Sequence, residues 1–459
     1  MKILLISANR ERSPYPVFPI GLAYLAGPLV NAGHELSVLD LCFETLADEA
    51  LQSRIAGFSP KLAVISLRNI DNVTWPASRS YLENVRRIVS ACRPHVSTVV
   101  GGSGFSLMPQ KILDFLEADF GIVGEGEEIL PLLVHRLERN EEVTGLPGVL
   151  QPGRHGYTPP LPVEHIGTPD RSIFNVARYQ REGGMANVQT KRGCPFNCIY
   201  CTYPLLEGRT MRLRPVSEVI AELKQLVDDG VSYIYFVDDI FNFPMSYAEE
   251  LCRAIIAEKL PLNWSAFINP AHFSPELLDV MLEAGCDAVE FGTEAGSPVM
   301  LKNLGKSFGV DEVRKASLLC RQRGVDFAHY ILFGGPGESR ETVLETFALM
   351  DELDPTAVIA MTGIRIFPGT QLYVTALEEG IIDEATDLLP PVFYISPRVR
   401  DTLIDLVTDG AMKRRNWVVP GLEINISDAM LEAVRMFMVK GPLWKLMKRT
   451  NRSHLRPFN

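Results

Sequence analysis

The sequence predicts an α/β protein with two consecutive parallel β-sheets, each covered by helices, and a helical region at the carboxyl end. Short apolar strand segments alternate with helical patterns in residues 1–145 and again, with longer units, in residues 185–385. A Gly- and Pro-rich stretch at 146–184 separates the two series as a linker. A chain of 459 residues is also longer than one domain usually is. Alternating strands and helices favour parallel sheets that are buried on both faces.

The composition is that of an ordinary globular enzyme. Hydrophobic residues make up 46% of the chain and charged residues 22%. The net charge of −11 argues against nucleic acid as a partner. No apolar run is long enough to span a bilayer, and the amino-terminal run is too short for a signal peptide. We therefore expect a cytoplasmic protein.

The first series, residues 1–145, predicts a Rossmann-type binding domain. Its strands are predicted at "KILLISA", "ELSVLD", "LAVISL", "STVVGG" and "FGIVGEG". The later strands end in polar or Gly-rich loops, where open parallel sheets bind ligands. These loops contain the candidate binding residues Arg68, Asn69, Gly101, Gly102, Ser103, Gly124, Glu125 and Gly126. The loop after the first strand, "SANRERSPYPVFP", lacks G-x-G-x-x-G, which makes a nicotinamide or flavin dinucleotide a poor candidate.

The second series, residues 185–385, predicts six βα units that form an incomplete barrel. The predicted strands are "NVQTKRG", "YIYFVDD", "NWSAFIN", "AVEFGTE", "FAHYILFGG" and "VIAMTGIRIF". Helical stretches such as "VSEVIAELKQLVDDG" and "VDEVRKASLLCRQRG" separate them, and Gly often ends these helices. A functional site is expected at the carboxyl ends of the strands.

Three cysteines lie within eight residues, in "KRGCPFNCIYCTYP", just after the first strand of this series. They are Cys194, Cys198 and Cys201. Three thiolates in one tight loop suit a cubane iron–sulfur cluster with one iron free of protein ligands. The alternative is a zinc knuckle, which needs a fourth ligand, and the next Cys in the sequence is Cys252. The five scattered cysteines are expected to be small buried hydrophobic residues.

The loop "RGCPFNCIYC" resembles the C-x3-C-x2-C loop of radical S-adenosylmethionine (SAM) enzymes. The segments "YFVDD", "FGTEAGSPVMLKNLGK", "LFGGPGES" and "RIFPGT" follow in the order of that family. Residues 1–145 resemble the cobalamin-binding module fused to one large branch of it, through "SLRNIDN", "VVGGSGFSLMP" and "GIVGEGEEILPLL". The resemblance implies a cobalamin-binding domain followed by a partial (βα)6 barrel. It also implies three cofactors, a [4Fe–4S] cluster, SAM and cobalamin, and hence sensitivity to oxygen.

The resemblance further implies roles for residues of the second series. The three cysteines would hold the cluster, and Asp238 and Asp239 would lie near the SAM ammonium, with capping of the next helix as the alternative for either. Glu294 would contact the SAM ribose, unless it is only a loop acid. The remaining SAM contacts would be Tyr200, as a wall of the adenine site, and Gly334 and Gly335, whose alternative is a tight turn.

The cobalamin module of this chain lacks the D-x-H-x-x-G motif that places a His on cobalt. The resemblance therefore implies cobalamin without a protein imidazole, with Arg68 beneath the lower face of the corrin. A surface ion pair is the alternative for Arg68. A domain that has lost cobalamin is the alternative for the whole module.

The reaction that the resemblance favours is methylation of an unactivated carbon, or of a phosphinate phosphorus, through a 5′-deoxyadenosyl radical and methylcobalamin. A non-methylating outcome (cyclisation, ring contraction or oxidation) and a redox or cobalamin sensor are the alternatives. The expected partners are a small-molecule or lipid-like substrate and an electron donor such as flavodoxin or ferredoxin. Residues 386–459 are expected to be helical, and their basic tail is expected to be solvated or to contact a membrane weakly.

Overall fold

The computed structural model describes residues 1–154, 156–160, 162–435, 437 and 439–447. Its first sheet consists of β1 (Lys2–Ser7), β2 (Glu35–Asp40), β3 (Leu62–Ser66), β4 (Ser97–Gly101), β5 (Phe120–Ile122) and β6 (Val149–Leu150). The strand order is β2-β1-β3-β4-β5-β6, and only β6 is antiparallel to its neighbour. The order reverses between β1 and β3, where sheets of this kind place their ligand. The predicted strands are confirmed, and β6 adds one within the expected linker.

The helices of this half cover both faces of the sheet. They are α1 (Ile20–Asn31), α2 (Ala47–Phe58), α3 (Leu82–Cys92), α4 (Ser103–Leu107), α5 (Pro109–Leu116) and α6 (Ile129–Glu138). Strands β1 and β3 are buried on both sides because their alternate residues belong to two different apolar clusters. Continuous apolar strands in the sequence reflect this double burial.

The second half begins with α7 (Val176–Gly183) and contains all the remaining strands. These are β7 (Ala186–Val188), β8 (Lys191–Arg192), β9 (Arg212–Leu213), β10 (Tyr233–Phe236), β11 (Asn263–Ile268), β12 (Cys286–Glu294), β13 (Asp326–Phe333), β14 (Ala357–Thr362), β15 (Ile364–Arg365), β16 (Phe393–Tyr394) and β17 (Trp417–Val418). Seven of them form one parallel sheet in the order β17-β14-β13-β12-β11-β10-β7. The α/β fold class with its incomplete barrel is confirmed.

The helices of the second half connect these strands. They are α8 (Tyr203–Leu206), α9 (Val216–Asp228), α10 (Met245–Ala257), α11 (Pro275–Glu283), α12 (Pro298–Asn303), α13 (Val310–Arg323), α14 (Arg340–Leu353), α15 (Gln371–Glu378), α16 (Leu403–Ala411) and α17 (Asp428–Arg435). Local signals in the sequence set several of their ends. The Ser339 side chain accepts a hydrogen bond from the Thr342 N–H to cap α14, and Gly324 ends α13 in a left-handed conformation.

The carboxyl-terminal region is less helical than the sequence suggests. Strand β17 comes from this region and extends the sheet beyond the six expected strands. Its Trp417 is fully buried, and pairing with β14 leaves fewer backbone groups unpaired at that edge of the sheet. Farther on, Trp444 packs on Ala288, Ala328 and Ala357 near the amino ends of three neighbouring barrel strands. The basic tail, from residue 448 onward, lies outside the described residues. Within the described ranges, no helix is both long and apolar enough to cross a membrane.

Candidate active site

The three cysteines lie on a tight loop, residues 193–202, called the cysteine loop below. It follows β8 at the carboxyl edge of the barrel sheet. Gly193 has φ of +95°, and a Cβ there would lie 2.3 Å from the Thr210 carbonyl oxygen, which only Gly avoids. The Gly193 N–H donates to Glu207 Oε2 at 3.0 Å, and the Cys194 N–H donates to the Gly208 carbonyl at 3.0 Å. These contacts fix the loop.

The thiols of the cysteine loop are shielded from solvent to different degrees. Cys194 is buried, whereas Cys198 and Cys201 are partly exposed. Burial raises the pKa of the Cys194 thiol to about 11 and that of Cys201 to about 12. Among the described residues, no three His, Cys, Asp or Glu side chains converge as ligands of a single metal ion. Thiolates that bind different irons of a cubane need not converge in this way.

Asp238 follows β10 and holds the strand that leads into the cysteine loop. Its carboxylate accepts hydrogen bonds from the Thr190 N–H at 2.6 Å and the Thr190 hydroxyl at 2.5 Å. Lys191 Nζ lies 3.5 Å away in an ion pair that is buried on both sides. Helix α10 begins only at Met245, with Pro244 before it, so neither aspartate has the capping role that was the alternative to SAM contact. Asp238 is therefore a structural anchor in this geometry.

Asp239, its neighbour, is in the opposite situation. Both of its carboxylate oxygens are buried and accept no hydrogen bond from any described residue. Burial, together with the charges of Glu207 and Asp238, raises the pKa of Asp239 well above its usual range. A buried, unsatisfied carboxylate is costly, and a bound cation is one explanation for such a group. Asp239 therefore fits a cationic ligand beside the cysteine loop.

Tyr200 and Glu294, predicted separately from distant segments, are in direct contact. The Tyr200 hydroxyl donates to Glu294 Oε1 at 2.8 Å. Lys306 Nζ lies 3.4 Å from the Tyr200 hydroxyl oxygen and 3.4 Å from Glu294 Oε1. Glu294 adopts φ of +66° at an irregular step in the pairing of β12 with β13. A non-Gly residue in this conformation is strained and is frequent at active sites. The side chains of Tyr200, which belongs to the cysteine loop, and of Glu294 and Lys306 form one polar cluster.

The predicted glycine loop after β13 is held by an internal acid. Glu338 accepts hydrogen bonds from the Gly334 N–H at 2.8 Å and from the Thr342 hydroxyl at 2.9 Å. The Gly334 carbonyl in turn accepts from the Ser396 N–H at 2.8 Å. Burial raises the pKa of Glu338 to about 7. The loop at Gly334 and Gly335 therefore has a fixed shape before any ligand binds.

On the first sheet, the predicted cobalamin loops meet at the carboxyl ends of β3 and β4. Arg68 and Asn69 are exposed, and the Ser103 hydroxyl donates to the Arg68 carbonyl at 2.8 Å. Gly102 has φ of +107°, and a Cβ there would lie 2.7 Å from the Leu67 carbonyl oxygen. The Arg68 guanidinium forms no ion pair with any residue of the described ranges. It is thus available to a ligand at this edge.

The third predicted loop, with Gly124, Glu125 and Gly126, contacts the β8–β9 pair of the second half and the segment that connects the two halves. Glu125 accepts two hydrogen bonds from Arg212, both at 2.7 Å, and one from the Val163 N–H at 2.7 Å. Arg192 adds an ion pair at 3.1 Å. Both oxygens of Glu125 are therefore in use. Its contact with cobalamin stays a prediction.

The two carboxyl edges face each other and are joined by a buried ion pair. Arg365 Nε donates to Asp71 Oδ2 at 2.9 Å, and Asp71 lies three residues after Arg68 in the chain. The Thr362 hydroxyl donates to the Trp75 carbonyl at 2.7 Å on the same loop. Farther along, α4 of the first half packs on α8, which follows the cysteine loop. The Arg68 loop is thus anchored against the barrel.

Sequence reasoning missed Glu207, Lys306 and Arg365. Glu207 binds Gly193 from 14 residues away, and burial raises its pKa. Lys306 lies in "MLKNLGK" and Arg365 in "RIFPGT". Both segments carry the resemblance to radical SAM enzymes, but that resemblance implies no role for these two residues. A basic residue inside such a motif was the available signal.

Two family models match this chain. A model described as "B12 binding domain" matches residues 6–134, and one described as "Radical SAM superfamily" matches residues 188–350. The chain is 29% identical over 397 residues to an uncharacterized methyltransferase of Pyrococcus horikoshii, covering 83% of this chain and 84% of that protein. It is 26% identical over 440 residues to tryptophan 2-C-methyltransferase of Streptomyces laurentii, covering 80% and 73%.

The fold is also that of a solved structure. The radical S-adenosylmethionine methyltransferase TsrM of Kitasatospora setae, determined with cobalamin and a [4Fe-4S] cluster bound, superimposes with a TM-score of 0.87. The match covers 98% of both chains at 23% identity.

Proposed function

This chain belongs to the B12-binding radical SAM enzymes, and on that premise we propose that it methylates a small molecule at an unactivated carbon or a phosphinate phosphorus. The observation that carries the proposal is the juxtaposition of two binding edges. Arg365 of the barrel donates to Asp71 of the Arg68 loop at 2.9 Å, and α4 of the first half packs on α8, which follows the cysteine loop. A methyl group carried at the first edge would then lie close to a substrate at the second.

The residues of both edges fit the three cofactors. We propose that Cys194, Cys198 and Cys201 hold the [4Fe–4S] cluster, and that Arg68, Gly102 and their neighbouring loops hold cobalamin. SAM would bind between Asp239 and the polar cluster of Glu294. When bound, these groups supply one-electron chemistry and a transferable methyl group.

Asp239 would orient SAM by its charge. Its two free oxygens suit the SAM ammonium, since a charge-assisted hydrogen bond to a buried carboxylate is strong and directional. Tyr200 and Lys306 hold Glu294 in one orientation, which leaves its second oxygen for the ribose. Asp238 and Glu338 would act indirectly, because they fix the backbone on either side of the site.

Arg68 would act on cobalamin through its charge. An exposed guanidinium without a carboxylate partner offers no lone pair, so it cannot serve as a ligand of cobalt. We propose that Arg68 would help to hold cobalamin at the edge of the first sheet and that its charge would disfavour a protein ligand to the cobalt. Arg68→Ala should therefore change the reduction behaviour of bound cobalamin more than it changes the affinity of the protein for cobalamin. If both change to the same extent, Arg68 is only a binding contact.

Partners and location complete the proposal. A flavodoxin or ferredoxin would supply electrons, the site of action would be the cytoplasm, and no nucleic acid would take part. Weak membrane contact through the basic tail, whose residues lie outside those described, remains an additional proposal.

Product analysis with deuterated-methyl SAM tests the methyl transfer. Anaerobically reconstituted protein, incubated with cell extract and a strong reductant, should give a labelled product. One S-adenosylhomocysteine and one 5′-deoxyadenosine should accompany each methylated product. A variant with all three thiols of the cysteine loop changed to Ala is the control and should form no deoxyadenosine. Product formation without label would overturn methyl transfer in favour of a cyclisation, ring contraction or oxidation.

A further inference from the structure

We propose that the floor of the barrel lumen binds a cationic nitrogen of the substrate, with Glu290 as its counter-charge. Tyr235, Phe267 and Tyr330 would form the aromatic walls of this site. The inference rests on the proposed function, because it names the substrate class for the same barrel.

The barrel has an open lumen in the described structure. On five neighbouring strands, β10 to β14, one or two partly exposed residues per strand alternate with buried neighbours, so the partly exposed ones share one face and line a solvent-accessible space. The partly exposed positions are Tyr235, Phe267, Gly292, Tyr330, Leu332, Ile359 and Met361. Phe267 contacts Tyr330 with 5.0 Å between ring centroids, and Tyr235 at 6.4 Å. The wall is therefore largely aromatic and aliphatic.

Glu290 lies on the lumen face, below the polar cluster at the rim. It is on β12, four residues before Glu294, and successive lumen-facing positions on a strand differ by two residues. The position between them is Gly292, where a Cβ would meet only Glu294 Oε1 at 3.2 Å and Lys306 Nζ at 4.0 Å. The missing side chain leaves space directly above Glu290. A substrate could thus reach from the rim to the floor.

The hydrogen-bond donors to Glu290 among the described residues are neutral. The Tyr235 hydroxyl donates at 2.9 Å and Trp444 Nε1 donates at 2.9 Å, with the Tyr330 side chain nearby. No Lys, Arg or His of the described ranges forms an ion pair with this carboxylate. Glu290 is nevertheless only 1% exposed. Because a carboxylate has about four acceptor positions, about two remain for a ligand.

These features together favour a cation. Two neutral donors lower the cost of burying the carboxylate but do not compensate its charge, so burial raises the pKa of Glu290. A cationic partner would offset that cost and favour the charged carboxylate. Aromatic rings around an acid are also how proteins bind ammonium groups, since ring faces attract positive charge. A neutral or anionic substrate group would not offset the charge of Glu290.

The lumen opens toward the first domain, because its rim lies at the carboxyl edge that faces that domain. Tyr15, on the loop after β1, is close enough to Glu290 and Arg68 for their opposite charges to act on its pKa, which burial raises. Tyr15 is therefore a residue of the first domain that lies near both the lumen acid and Arg68. A cationic group at Glu290 would hold the rest of the substrate near the methyl donor.

A purely structural role for Glu290 is the competing explanation, and the chain offers a matched control for it. Trp444 lies in the carboxyl-terminal segment, so the Trp444–Glu290 bond could serve only to fasten that segment. Trp444→Phe removes this bond and keeps the acid, whereas Glu290→Gln keeps the shape and removes the charge. A fastening role predicts the same behaviour for both variants.

The test measures binding by calorimetry, with holoprotein loaded with cluster, cobalamin and SAM. The probes are 2-phenylethylamine, which is cationic near neutral pH, and its neutral isostere 2-phenylethanol. The wild type should bind the amine about tenfold more tightly, the difference between a charge-assisted and a neutral hydrogen bond. Glu290→Gln should bring the two affinities together, and Trp444→Phe should keep the preference.

Three outcomes would overturn the proposal. They are equal binding of both probes by the wild type, no amine binding up to its solubility limit, and an equal loss of preference in both variants. None of these measurements involves methyl transfer. Failure of the deuterium experiment would therefore overturn the proposed reaction and leave this assignment to be judged by binding alone.

Discussion

Exchanging Asp239 for Asn should strengthen the fold and weaken SAM binding at the same time. Both oxygens of Asp239 are buried without a hydrogen-bond donor among the described residues, and two further acids lie nearby. Asp239→Asn should therefore stabilise the protein modestly, because it removes the repulsion from Glu207 and Asp238 while the Asn amide stays as buried and unpartnered as the acid. The same charge is proposed to meet the SAM ammonium. Its loss should cost about 1.5–3 kcal/mol of binding, which is about 10- to 150-fold in Kd.

Asp238 provides the matched control, because it is the same residue type one position earlier. Its oxygens accept from Thr190 at 2.6 and 2.5 Å and face Lys191 at 3.5 Å. Asp238→Asn should therefore destabilise the protein, by about 3–5 kcal/mol if the buried ion pair is lost. Thermal denaturation before cluster loading and calorimetry with SAM after loading measure the two effects. The reasoning fails if Asp239→Asn is destabilised like Asp238→Asn, or if it binds SAM as tightly as the wild type does.

Three further predictions concern the cluster, the junction between the two halves and the glycine loop. Reconstituted wild type should carry about four irons and four sulfides per chain. Changing all three thiols of the cysteine loop to Ala should abolish the brown absorbance of the protein. Wild type that binds one zinc and no iron would contradict the cluster assignment. Asp71→Ala should destabilise the protein by about 3–5 kcal/mol, because it leaves Arg365 buried and unpaired. The double variant Asp71→Ala/Arg365→Met should lose much less stability, because no unpaired buried charge remains. If urea denaturation shows that the stability losses of the two single changes add up in the double variant, the coupling is disproved. Because burial raises the pKa of Glu338 from 4.5 to about 7, the stability that this group contributes is complete below about pH 4.5 and is lost as the pH rises through about 7. Relative to the wild type, Glu338→Gln should therefore gain about 3 kcal/mol between these pH values, and a stability difference that does not change with pH would refute the assignment.

The order of the elements could be predicted from the sequence because their signals are local. Alternating apolar segments, Gly helix ends and serine caps each act within a few residues, and the predicted strands of both sheets are found in the structure. Strand β17 was missed because two residues give no periodicity, and only the open edge of β14 defines it as a strand. The same holds for β6 within the expected linker.

The sequence by itself determined which chemistry to expect, because the three thiols of the cysteine loop and the motifs around them are contiguous in the chain. Only the tertiary structure decided which member of the Asp238–Asp239 pair is free, because that depends on a strand 48 residues away. Contacts such as Arg365 with Asp71, 294 residues apart, likewise leave no local pattern. The lumen acid Glu290 looks like any other residue of a strand until the barrel places it among tyrosines. Hydrogen bonding and burial depend on neighbours in space, and the folded chain supplies those neighbours from distant parts of the sequence.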